Sequence, residues 1–104
     1  MNALPDGRHF FRGDDGYEPA RRAAVWNARL PQRFPDVIVQ AADVADVVAA
    51  VRYAAARDVK VGIRSGGHSW AANHVRDGGL LLDVSRLDTC VGDEPALTAV
   101  VGPG

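Results

Sequence analysis

Cysteine occurs once in this chain of 104 residues, at Cys90. A single thiol excludes an internal disulfide framework and leaves the redox compartment open. Lysine is equally scarce: Lys60 stands alone among 12 basic residues, set against 13 acidic ones, for a net charge of −1. No general positive field exists to attract a polyanion, so nucleic-acid binding is not expected. No apolar run approaches the ~20 residues that a bilayer span requires, so no membrane partner is expected. The first 16 residues hold Asp6, Arg8, Arg12, Asp14 and Asp15 without the apolar stretch of a secretory signal, which makes a cytoplasmic address the expectation. Two common phosphate-binding signatures are missing too. Gln40-Ala41-Ala42 fills the turn where G-x-G-x-x-G would open a helix, and neither glycine pair is followed by Lys-Ser/Thr.

What is present describes a globular domain. With 47% hydrophobic and 24% charged residues the composition is not that of a disordered chain. A chain of this length forms one domain at most and buries roughly 60–70% of its unfolded surface. Residues 1–16, rich in Gly, Asp and Arg, suggest an irregular arm. Glu18-Pro19 fits the first turn of a helix continued by Ala20, Ala23, Ala24 and Asn27 and ended by Pro31 and Pro35. Trp26 is expected to pack inward, with ligand stacking as the alternative.

Val37-Ile38-Val39 has the continuous apolar character of a buried parallel strand. Asp43 is placed to cap the next helix, with Asp46 in its first turn. Val44, Val47, Val48, Val51 and Ala55 share one face at helical spacing, apart from Asp46, Arg52 and Arg57. Lys60–Ile63 gives a second strand. Strand, helix and strand with short links predict a βαβ unit with parallel strands. Leu80–Val84 is a further buried strand. Leu87–Pro95 is expected as a turn at Gly92-Asp93, and Leu97–Val101 as a strand forming a hairpin with Leu80–Val84.

Between the second and third strands lies Ile63-Arg64-Ser65-Gly66-Gly67-His68-Ser69-Trp70. Paired glycines let main-chain N–H groups converge without an intervening Cβ, a concavity suited to a phosphate, and Arg64 adds positive charge at its edge. A plain tight turn is the alternative. The loop leaves the carboxyl end of a parallel strand, where α/β sheets commonly hold ligands. His68 admits metal ligation, but His74 and Cys90 offer no recognised ligand spacing. It also admits service as base to a nucleophile, but Ser69 does not sit in G-x-S-x-G.

Arg64-Ser65-Gly66-Gly67-His68-Ser69 resembles the flavin-binding loop of the vanillyl-alcohol oxidase/p-cresol methylhydroxylase (PCMH-type) superfamily, berberine-bridge-enzyme-like branch. Gly16-Tyr17-Glu18 with Ala20-Arg21, Trp26-Asn27, Pro35 with Ile38-Val39, Gly78–Ser85 and Val101–Gly104 fit the same family in the same order. The resemblance implies an α+β fold: a small mixed sheet of about four strands with a βαβ unit and two helices, equivalent to the first subdomain of the PCMH-type FAD-binding domain. It implies FAD as cofactor, with Arg64, Ser65, Gly66, Gly67, His68 and Ser69 around it and pyrophosphate on the backbone donors of Ser65–Ser69. His68 matches the histidine bonded covalently to the flavin 8α-methyl carbon. Neutral imidazole, abundant near pH 7, is a plausible nucleophile for that bond.

Cys90 does not match the family's second tether and is expected as a small buried hydrophobe. Asp83 is expected in a structural hydrogen bond, and His9 and His74 carry no motif. The expected organisation is an arm and helix over residues 1–30, then the amino-terminal part of the FAD domain over 31–104, truncated relative to the family. The parent activity implied is flavin-dependent oxidation of a small-molecule substrate, with dioxygen reoxidising the flavin. Alternatives are a truncated non-catalytic fragment or nucleotide-binding module, and a phosphate-binding regulatory domain unrelated to flavin.

Overall fold

The computed structural model describes residues 4–5 and 8–104; Met1, Asn2, Ala3, Asp6 and Gly7, within the expected arm, lie outside the described residues. The centre is a mixed sheet. Strands β1 (His9–Phe11), β2 (Val37–Gln40), β3 (Val61–Arg64) and β4 (Leu80–Asp83) lie in the order β1-β2-β4-β3. β1 runs antiparallel to β2, while β2 and β3 both run parallel to β4. The βαβ strands are therefore parallel, as expected, but β4 lies between them. Part of the arm expected to be irregular is the edge strand β1.

Alternation divides the core between the two faces of this sheet. Val37, Val39, Leu80 and Leu82 face helix α2 (Val44–Ala56), joined by Ala50. Ile38 and Leu81 face helix α1 (Tyr17–Ala23), joined by Tyr17, Ala20, Ala24, Ala72 and Val75. Three layers result, helix on sheet on helix.

Helix α1 ends earlier than its alanines suggest, because Ala24 and Val25 close short turns onto Arg21 and Arg22 and Trp26 N–H turns away to Gly67. Arg21 is buried rather than on a solvent face. Its guanidinium forks onto Glu18 (2.8 and 2.5 Å), donates to the Pro31 carbonyl (2.8 Å) and stacks over Phe34. That hydrogen bond holds the Glu18 carboxyl below its usual range. Tyr17 donates its hydroxyl hydrogen to the Pro35 carbonyl (2.6 Å), and burial pushes its pKa up.

Asp43 caps α2 as expected, its carboxylate accepting from Asp46 N–H at 2.9 Å. The buried face of α2 is shifted from the one its valines predict: of those expected positions only Val47, half-buried, packs against the core. Asp46, Ala50 and Ala54 are buried, whereas Val44 is 70% exposed and Val48 and Val51 are also exposed. Alanines at that spacing let the helix backbone approach the sheet closely. Asp46 is tolerated there because Arg8 grips both its oxygens (3.0 and 3.1 Å) and Ala42 N–H donates to it (2.8 Å). These donors, Arg8 first, depress the Asp46 pKa. Val44 and Val51 instead rim an all-apolar trough of about 490 Å³ shared with Val61 and Ile63 of edge strand β3.

The last two strands, β5 (Cys90–Asp93) and β6 (Thr98–Val101), pair antiparallel with each other and not with β4. Gly92-Asp93 is inside β5, and the turn is Glu94–Leu97, closed by Leu97 N–H to Glu94 and by the Asp93 carboxylate on Ala96 N–H. Every residue of both strands is exposed, Cys90 included, so the expected burial of that thiol does not hold. Among the described residues no helix is long and apolar enough to cross a membrane.

Candidate functional site

β3 ends beside β4 with Arg64 opposite Asp83, and the chain then turns through Ser65–Ser69. Val84 N–H closes the ladder on the Arg64 carbonyl at 2.9 Å. Beyond it the pairing stops. Among the described residues no backbone N–H from Ser65 to Ser69 donates to a protein acceptor. A row of free main-chain donors at the carboxyl end of a parallel strand suits an anionic oxygen.

The hydroxyls beside this row are partly engaged. Ser65 donates its hydroxyl hydrogen to the Pro103 carbonyl (2.6 Å), and Ser69 Oγ accepts from Asn73 N–H (3.3 Å), which leaves the Ser69 hydrogen available. Arg64 is turned inward. Nη1 donates to both carboxylate oxygens of Asp83 (3.2 and 3.4 Å) and Nη2 to the Ala23 carbonyl (2.9 Å). The charge expected at the loop edge thus has an internal counter-ion, and Arg64 braces β3 against β4 and the end of α1. Asp83, buried, also accepts from Ser85 N–H (2.9 Å), the structural role expected of it.

Gly67 has φ +70°, and a Cβ there would collide with the Ala24 carbonyl oxygen. Glycine therefore relieves the left-handed backbone, which Asp58, Ala72 and Leu97 adopt with side chains, and is required for the seat of the loop at the end of α1. Trp26 N–H donates to the Gly67 carbonyl (3.2 Å) and completes that seat. His68 is exposed, with its ring folded over Gly66 so that a Cβ at 66 would lie 2.9 Å from Nδ1. Among the described residues nothing hydrogen-bonds its imidazole, so both ring nitrogens are open to a ligand.

Two aromatic side chains stand at the rim. Trp26, expected inside, is 46% exposed and meets Trp70, 81% exposed, edge to face at 4.9 Å. Sequence reasoning assigned nothing to His74, yet its Nε2 lies 2.6 Å from the Ala24 carbonyl oxygen beneath the loop. No local signal announces that contact, because 50 residues separate the partners. Among the described residues no group of three or more His, Cys, Asp or Glu side chains is arranged to hold a metal ion.

Residues 35–104 match the family of the FAD binding domain, and the chain belongs to that family. It is 31% identical over 98 residues to (R)-6-hydroxynicotine oxidase of Paenarthrobacter nicotinovorans, across 94% of this chain and 21% of the relative. The crystal structure of 6-hydroxy-D-nicotine oxidase from Arthrobacter nicotinovorans aligns with 100% of this chain and 22% of its own, at TM-score 0.80 and 29% identity. Physcomitrella patens BBE-like 1 aligns with 93% of this chain and 21% of its own, at TM-score 0.80 and 33% identity.

The chain spans about a fifth of the length of these relatives. It carries the FAD-binding fold of FAD-linked oxidoreductases of the PCMH type, and FAD is its cofactor. The free donors of the loop and the open imidazole fit a diphosphate-bearing, planar cofactor of this class.

Proposed function

We propose that the Ser65–Ser69 loop is where this domain holds FAD. The backbone donors of Ser65, Gly66, Gly67, His68 and Ser69 receive the pyrophosphate, Arg64 braces the loop from within, and a ring nitrogen of His68 is the point of covalent attachment. The observation that carries the reading is the run of N–H groups from Ser65 to Ser69, unpartnered among the described residues, with the exposed imidazole of His68 beside it. Bound FAD supplies two-electron redox chemistry, and the chain's own residues bind and orient it. The parent activity that this supports is oxidation of a small molecule. An oxidase among the relatives favours it, though four-fifths of that relative has no counterpart in this chain.

Expression with FAD followed by acid precipitation tests the attachment. Yellow colour should stay with the wild-type pellet and be absent from the His68→Ala pellet. Acid-stable flavin in His68→Ala places the tether elsewhere. The alternative reading is a nucleotide-binding module without activity of its own. Colourless protein that gives no heat with added FAD selects that reading over the first.

A further inference from the structure

His74 lies five residues beyond the loop and touches none of the free donors, yet it closes a circuit of contacts around the loop's base. Its Nε2 is 2.6 Å from the Ala24 carbonyl oxygen. A carbonyl only accepts, so Nε2 carries the hydrogen, in one neutral tautomer and in the imidazolium alike. That same oxygen is the atom against which Gly67 is seated.

The main chain of His74 is itself fixed. Ala72 and Val75 on either side are buried in the core on the α1 face, and Val75 N–H donates to the Ala72 carbonyl (2.9 Å). A Cβ on Gly62 would collide with the His74 carbonyl oxygen, so His74 rests directly on β3. The circuit therefore runs from Gly62 on β3 to His74, from its ring to Ala24, from Ala24 to Gly67, and back along the loop into β3.

Resting on the reading of this loop as the FAD site, we propose that His74 is a positioning residue for it. By holding the Ala24 carbonyl, His74 fixes the ledge on which Gly67 sits, and with it the direction of the N–H row and of His68.

The test uses His74→Leu and His74→Gln in the 104-residue chain, since a glutamine amide can supply an N–H to the same oxygen. Amide hydrogen exchange at Trp26, whose N–H bonds the Gly67 carbonyl, reports the seat without any ligand; Ile38 and Leu81 serve as core references. Titration calorimetry with FAD reports the consequence. In His74→Leu, exchange at Trp26 should be about tenfold faster and the FAD Kd about tenfold higher, the order of one net hydrogen bond, with the references unchanged. In His74→Gln both should return to within about threefold of wild type.

Unchanged Trp26 exchange or unchanged FAD affinity in His74→Leu overturns the proposal. So does equal damage in both variants, or acceleration of Ile38 and Leu81 together with Trp26. A wild-type chain with no measurable FAD affinity sinks the cofactor reading alone, and the exchange comparison then still decides whether His74 sets the loop.

Discussion

Gly67 and Gly78 form a matched pair for separating backbone strain from steric seating. Their φ angles are nearly the same, +70° and +72°. A Cβ at Gly78 would meet only Asp36 Oδ2, at an ordinary 3.6 Å, whereas one at Gly67 would strike the Ala24 carbonyl, which His74 and the end of α1 hold in place. Alanine at either site incurs the left-handed penalty of about 1–2 kcal/mol. At Gly67 an overpacking cost of roughly 1–3 kcal/mol is added, because the obstacle is main chain rather than a side chain that can swing away.

Gly78→Ala should therefore lose about 1–2 kcal/mol and Gly67→Ala about 2–5 kcal/mol, a large share of what a small domain has. Urea unfolding followed by far-UV circular dichroism measures both. Equal losses, within about 0.5 kcal/mol, would refute the seating of the loop on Ala24. A confirmed difference also bears on ligand experiments: reduced FAD affinity in a Gly67 variant then reflects a displaced loop before it reflects a blocked phosphate.

Two further expectations concern helix α2. Ala50→Leu, at a fully buried contact with the sheet, should cost about 1–3 kcal/mol by overpacking, while Val44→Thr, 70% exposed, should stay within about 0.5 kcal/mol of wild type. The reverse order in urea melts would return the valine stripe to the core side. Arg8 and the amides around Asp46 hold that carboxyl below its ordinary value of 3.8, so the unfolded chain binds its proton more readily than the folded one. The resulting stability is complete above that ordinary value and disappears as the pH falls through the depressed folded value. Asp46→Asn should lower stability near neutral pH and flatten part of the acid loss; an unaltered acid slope in that variant tells against the Arg8 pair.

The elements legible in the sequence are those whose cause is local. Val37–Val39 and Leu80–Leu82 are apolar throughout because each is buried on both faces, and Asp43 announces α2 because a cap acts on the next turn. The two adjacent glycines marked the loop for the same reason. What escaped depends on partners distant in the chain. β1 is three residues with no strand pattern of their own and exists by pairing with β2. The inward face of α2 was hidden because alanine is weakly apolar and because the buried Asp46 is made tolerable by Arg8, 38 residues away. Gly92-Asp93 has turn composition, but Asp93 pairs with Thr98 and the hairpin turns at Glu94–Leu97, which leaves the pair inside β5. At the site, the loop was visible and its support was not: the inward turn of Arg64 and the hold of His74 on Ala24 arise only after α1 docks against the sheet.

One feature of the rim bears on how this polypeptide can be observed. Trp26 and Trp70 are its only two indoles and they touch each other, so its indole emission, excited selectively at the red edge where tyrosine does not absorb, arises from a single spot. A yellow chromophore docking beside His68 absorbs where indoles emit, and quenches them by energy transfer over short range. In this chain the fluorophore and the proposed binding margin are neighbours by construction, and no label is needed to watch one through the other.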